Sequence, residues 1–129
     1  MYNYTSFDGI SIKVGQNAKE NDAITLSSYP KEWWLHVSGC PGSHVIVCSE
    51  ENTLPKETKR DAALLAVYHS KMPNMKISSV DLVRVEQVAK YQNSNHGEVM
   101  LEGETMRLTV FITKENARLD RLLKNRTIS

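Results

Sequence analysis

Residues 33–48 read WWLHVSGCPGSHVIVC. The aromatic and β-branched run Trp33–Val37 suits a pleated strand, Ser38–Ser43 is turn chemistry around Pro41-Gly42, and His44–Cys48 resumes as a strand. The stretch predicts a β-hairpin. With the turn centred near Cys40 and Pro41, His36 and His44 fall opposite one another at its base. Trp33 and Trp34 are adjacent on one strand and point to opposite faces, so this reading places one indole in the core and leaves the other available for stacking.

Upstream, Ile10, Ile12 and Val14 alternate with Ser11 and Lys13, the period of a half-buried strand closed by Gly15. Residues 16–29 are polar and rich in Asn, Asp, Ser and Thr; they read mainly as an ordered loop, with a short helix from Asn17 as the alternative. Downstream, Thr53 as cap, Pro55 in the first turn and Glu57 open a helix predicted to run to about Met72, where Pro73 and Asn74 stop it. Ala62, Ala63 and Ala66 keep one flank slim for close approach to a sheet. Residues 79–85 predict a central strand with apolar residues on both faces. Residues 86–97 read as a loop. Val99 and Leu101, the turn at Gly103 and the run MRLTVFI (106–112) predict a second hairpin. Residues 114–125 predict an amphipathic helix with Leu119, Leu122 and Leu123 inward and Arg118, Arg121 and Lys124 outward. The expected fold is one α+β domain over residues 1–129: a mostly antiparallel sheet, one main helix packed on it, and a C-terminal amphipathic helix.

The 129-residue length, 40% hydrophobic and 24% charged content describe an ordinary globular chain rather than a disordered one. A formal charge of +1 excludes a uniformly basic surface, so any patch is local. Residues 1–53 are net acidic, while 54–92 and 113–129 are net basic. The longest apolar run, Ala62–Tyr68, is far short of the ~20 residues of a membrane span, and the opening residues lack the form of a secretion signal. Two cysteines, Cys40 and Cys48, make no disulfide scaffold. The expectation is a cytoplasmic protein with free thiols and no membrane contact.

Three constellations carry candidate chemistry. His36, Cys40, His44 and Cys48 have the even spacing of four that converges on a helix, but they lie in strand sequence, so no metal or other cofactor is expected. Ser43 beside His36 or His44 has the ingredients of a nucleophile and base, yet CPGSH is not a G-x-S-x-G elbow, and a serine after Pro-Gly ordinarily satisfies its own turn. Exposed aromatics, imidazoles and a basic zone are the ingredients of single-stranded RNA recognition, with phosphate contacts from Lys56, Lys59, Arg60 and Lys71 or from the last helix.

GISIKVGQNAKENDAIT (9–25), EWWLHVSGCPGSHVIV (32–47) and DAALLAVYHSK (61–71) together resemble the NFACT-R domain, a module of the NFACT proteins of ribosome-associated quality control. The likeness covers about residues 9–112. Its motifs fall on Gly15 and Asn17, on Glu20, Asn21, Asp22 and Thr25, on Trp34 and His36, and on Pro41, Gly42, Ser43, His44 and Val45. Gln16, Glu32 and Leu35 stand where the family carries Arg, Asp and Phe; the first exchange removes a cation suited to phosphate.

The resemblance implies an RNA-binding module for tRNA or rRNA at the ribosome, in translation, whose further NFACT domains would come from a protein partner. The implied RNA site comprises Asn17, Glu20, Asn21, Asp22, Trp34, His36, Pro41, Gly42, Ser43 and His44, with Lys59 and Arg60 near the RNA backbone. Two other readings stay open: an RNA-directed enzyme using His36 and His44 as acid and base, oriented by Glu20 or Asp22, and a protein-interaction module for a ribosomal or quality-control partner.

Overall fold

The computed structural model describes residues 1–70, 76–91 and 94–129. Strands β1 (Tyr2–Thr5), β2 (Ser11–Val14), β3 (Trp33–Val37), β4 (Val45–Val47), β5 (Ile77–Arg84), β8 (Met106–Phe111) and β9 (Thr127–Ile128) form one antiparallel sheet ordered β8-β5-β3-β4-β2-β1-β9. β6 (Val88–Ala89) and β7 (Met100–Leu101) pair separately. Helices are α1 (Ala18–Ser27), α2 (Lys56–Tyr68) and α3 (Asn116–Lys124). The expected α+β class, main helix and C-terminal helix are all present.

Strand alternation divides the core by face. Ile12, Val14, Trp33, Leu35, Val45, Val47, Val80 and Leu82 pack against α2 and α3, where Leu65, Ala66 and Leu122 are fully buried. Trp34, Ile46 and Val83 point the other way and pack with Ile24 of α1 and Val85, with Val88, Val99 and Leu101 around them. The slim flank on Ala62, Ala63 and Ala66 is buried in the first cluster.

Several expectations need correction. The segment read as a polar loop is α1: Asn17 accepts from the Glu20 N–H at 2.9 Å, and the Glu20 carboxylate accepts from the Gln16 N–H at 2.9 Å. Its buried face is Asn21, Asp22, Ile24 and Thr25, so hydrophobic periodicity could not reveal it. α2 starts at Lys56 with Pro55 before it, and Thr53 is not its cap. It ends at Tyr68; the expected extension to Met72 and the Pro73-Asn74 stop fall on residues 71–75, outside the described residues.

β7 pairs with β6, and β8 pairs with β5, so residues 99–112 are not a hairpin. The Gln87 amide closes the intervening excursion by donating to the Glu102 and Glu104 carbonyls at 2.8 Å each. Both indoles are buried, Trp33 under α2 and Trp34 under the α1 layer, because the sheet is covered on both faces at β3. Arg118 and Arg121 turn inward to Asp61, which is 0% exposed, at 2.7 and 2.6 Å.

Candidate functional site

The β3–β4 register pairs Trp33 with Val47, Trp34 with Ile46 and Leu35 with Val45. One step further sets His36 against His44 on the α1 face, as the hairpin reading expects. The two imidazoles lie 5.7 Å apart, almost perpendicular. Trp34 lies parallel to His36 at 5.6 Å and meets His44 edge-on at 5.2 Å. These rings border a groove of about 640 Å³ walled by residues 16–18 and Asn21, by the hairpin residues Gly39 and Pro41–Ser43, and by residues 96–99. A volume of this order holds a small organic group such as one nucleoside.

Both ring nitrogens of His44 are engaged. Nε2 faces the Gly97 carbonyl at 3.2 Å, which can only accept, so Nε2 carries the proton and Nδ1 accepts from the Thr25 hydroxyl at 2.9 Å. Burial, reinforced by neighbouring His36, pushes the His44 pKa down to about 4. His36 donates from Nδ1 to the Val37 carbonyl at 2.6 Å, and burial lowers its pKa too. At neutral pH the pair is uncharged, and the backbone of Gly42 as well as that of Val37 bonds His36. The pair offers hydrogen bonds rather than positive charge.

α1 holds this arrangement in place. The Asn21 amide donates to the Gly42 carbonyl at 3.4 Å and accepts from the His44 N–H at 3.1 Å, bridging helix and hairpin. A Cβ on Gly15 would come within 2.0 Å of that amide oxygen, so the neighbouring strand end must be glycine for the bridge to fit. Asp22 accepts from the Gly97 N–H at 3.0 Å and from His96 and Lys90 at 3.2 Å. Burial alone would raise its pKa, but these three donors outweigh burial and hold the carboxyl below its ordinary value.

The residues expected from the sequence therefore divide. Trp34, His36, Pro41, Gly42, Ser43 and His44 converge on the groove, with Asn17 and Asn21 on its wall. Glu20 instead binds the chain's amino terminus at 2.8 Å, and Asp22 binds Lys90, His96 and Gly97, so neither bonds His36 or His44 directly. With both its nitrogens committed, His44 is poorly suited to exchange a proton with a substrate. The Ser43 hydroxyl points at the His69 carbonyl at 3.4 Å rather than at an imidazole. Lys59 and Arg60 lie on α2, across the sheet from the histidines, beside a separate 330 Å³ cleft against β8. Trp34 is 2% exposed and already stacked by His36, so it is the floor of the groove and not a free platform. Among the described residues no group of three His, Cys, Asp or Glu side chains could hold a metal.

Sequence reasoning missed Thr25 as the partner of His44, the wall at residues 96–99, and Asp81, which pairs with His36 across β3 and β5. Asp81 was legible in principle from strand register. Gly97 was not, because it lies 53 residues from His44 in the chain.

The fold and groove define a small α+β domain that presents buried, neutral imidazoles in a hydrogen-bonding cleft. The chain belongs to the NFACT protein RNA binding domain family, which matches residues 1–107. Rqc2 homolog RqcH of Bacillus subtilis (strain 168) is 31% identical over 123 residues, 95% of this chain and 21% of that protein. Rqc2 homolog RqcH of Streptococcus suis (strain 05ZYH33) is 36% identical over 110 residues, 82% of this chain and 20% of that protein. The chain thus spans about a fifth of the length of these relatives. A solved structure of the C-terminal part of the fibronectin/fibrinogen-binding protein from Streptococcus suis superposes with a TM-score of 0.83 at 30% identity, covering 97% of this chain and 48% of that one. Among the described residues no helix is long and apolar enough to cross a membrane.

Proposed function

We propose that this chain is a cytoplasmic RNA-binding module that engages tRNA or rRNA in ribosome-associated quality control, and that the groove at His36 and His44 is where RNA is read. The observation that carries this reading is the neutral imidazole pair seated on Trp34. Single-stranded RNA is recognised through base edges and 2′-hydroxyls, which need directional donors and acceptors rather than net charge. The side chains of Gln16, Asn17, His36 and Ser43 line the cleft, which is large enough for a nucleoside, and supply polar groups of this kind. Family membership supports the same ligand class. The remaining NFACT functions would be supplied by other segments or by a partner protein, given the fraction of the relatives that this chain spans.

The test is fluorescence anisotropy with labelled tRNA and with a single-stranded RNA across a salt series, using the wild type and a His36→Ala/His44→Ala variant whose fold is checked by circular dichroism. Affinity should fall as salt rises, because phosphate contacts release counterions, and it should be lost in the folded variant. Wild-type protein that fails to bind at low salt, or binds independently of salt, sinks the proposal. A protein ligand is the second reading, favoured by the name of the structurally similar streptococcal protein. An immobilised fibronectin arm in the same experiment separates the two.

A further inference from the structure

An RNA ligand needs cations for its phosphates, and the groove supplies none: its charged lining residues are Asp81 and Glu98, and its imidazoles are neutral. Lys59 and Arg60 are on the wrong side of the sheet. Strand register points to another source. His36 pairs with Asp81, and Asp81 pairs with Arg107, so the row begun by His44 and His36 continues across β5 to β8 on the same face.

Arg107 is positioned and still open. Its Nε donates to Asp81 Oδ1 at 3.2 Å, and the same oxygen accepts from the Ser38 hydroxyl at 2.8 Å. The Arg107 side chain is 71% exposed, and its two terminal nitrogens have no partner among the described residues. Alternation along β8 puts Thr109 and Phe111 on this face, and Ile77 faces Phe111 from β5. Thr109 is exposed, Phe111 is 45% exposed, and Lys114 Nζ lies 5.4 Å from the Phe111 ring centre. A tethered guanidinium with a free fork suits phosphate, and an aromatic ring on an open strand face suits an unstacked base.

Resting on the RNA reading above, we infer that the open face of β5 and β8 carries the RNA strand out of the groove, with Arg107 holding a phosphate and Phe111 stacking a base. The face is continuous with the groove, and its charge complements a polyanion. Its exposed aromatic distinguishes it from a plain ionic patch.

The experiment repeats the anisotropy salt series with a short oligouridylate and with tRNA, comparing Arg107→Ala, Phe111→Ala and Thr109→Glu with the wild type and with His36→Ala/His44→Ala. Arg107→Ala should weaken binding and lower the salt slope by about one. Phe111→Ala should weaken binding about tenfold with the slope unchanged. Thr109 is exposed and its side chain makes no hydrogen bond among the described residues, so Thr109→Glu keeps the test open if Arg107→Ala misfolds; it should weaken binding several-fold. If all three bind like wild type while His36→Ala/His44→Ala loses RNA, the exit path is wrong and the groove stands. If wild type itself is silent at low salt, both fall.

Discussion

Trp33 and Trp34 are consecutive residues on opposite sides of one sheet, and the two sides are built differently. Trp33 packs under α2, donates its indole N–H to the Glu51 carbonyl at 3.0 Å and carries Arg84 over its ring at 3.7 Å. Trp34 lies under the α1 layer, and its indole N–H is buried with no partner among the described residues. An unmade hydrogen bond of this kind costs about 1–3 kcal/mol. The α2 side is a broad apolar core sealed at one end by the Asp61–Arg118–Arg121 cluster. The α1 side has a small apolar centre rimmed by Asn21, Asp22, Thr25, His36 and His44. Stability is concentrated on one side, which lets the other carry polar groups arranged for a ligand.

The sharpest way to break this contrast is Asp61→Ala. It removes the carboxylate that accepts from Arg118, Arg121 and the Phe7 N–H at 2.8 Å, leaving two half-buried guanidinium groups short of a partner. A loss of about 3–5 kcal/mol is expected in urea denaturation, since breaking one partner of a buried pair leaves uncompensated charge. RNA affinity of the remaining folded protein should be unaffected. Gly15→Ala is the counterpart on the α1 side. The new Cβ displaces Asn21, so a loss of about 1–3 kcal/mol should be joined by weaker RNA binding, the inverse of the Asp61 pattern.

Acid sharpens the comparison further. Burial holds His44 at about 4, below the ordinary 6.5, so the unfolded chain binds the extra proton first. Stability is therefore intact above pH 6.5 and declines as pH falls toward 4, by up to about 1.4 kcal/mol per pH unit from this group. His69, also lowered to about 4 by burial and by Arg126, steepens the fall. Denaturation at pH 7, 6 and 5 checks this, and His44→Gln should flatten the slope. The smallest effect is expected from Lys59→Ala/Arg60→Ala: both lie across the sheet from the groove and share a cleft only with the β8 edge at Thr109 and Phe111, so affinity for RNA should fall by about two- to threefold, less than for Arg107→Ala. A large loss there would mean that RNA wraps both faces.

Much of the α2 side could be read directly from the chain. The alternation at Ile10–Val14, the WWLHV run and the alanine-rich helix each bury apolar residues at a period that their own secondary structure dictates. The hairpin also fixed the site's centre, because a two-residue alternation about one turn determines that His36 and His44 face each other. The α1 side was less legible. Its helix shows no apolar stripe, since the face it buries is Asn21, Asp22 and Thr25, whose burial makes sense only once His44 and Gly97 are in place to bond them.

What the sequence by itself determined was local: periods, turns and the opposition of two histidines, all set by interactions within a few residues. The tertiary structure decided what those residues face. Covering the sheet on both sides at β3 buried the second indole, drawing Arg118 and Arg121 to Asp61 turned an expected outer face inward, and pairing β8 with β5 brought Arg107 into line with His36. Each outcome depends on bringing together groups far apart in the chain, and a buried polar group acquires its partner, its charge state and its role only from that assembly.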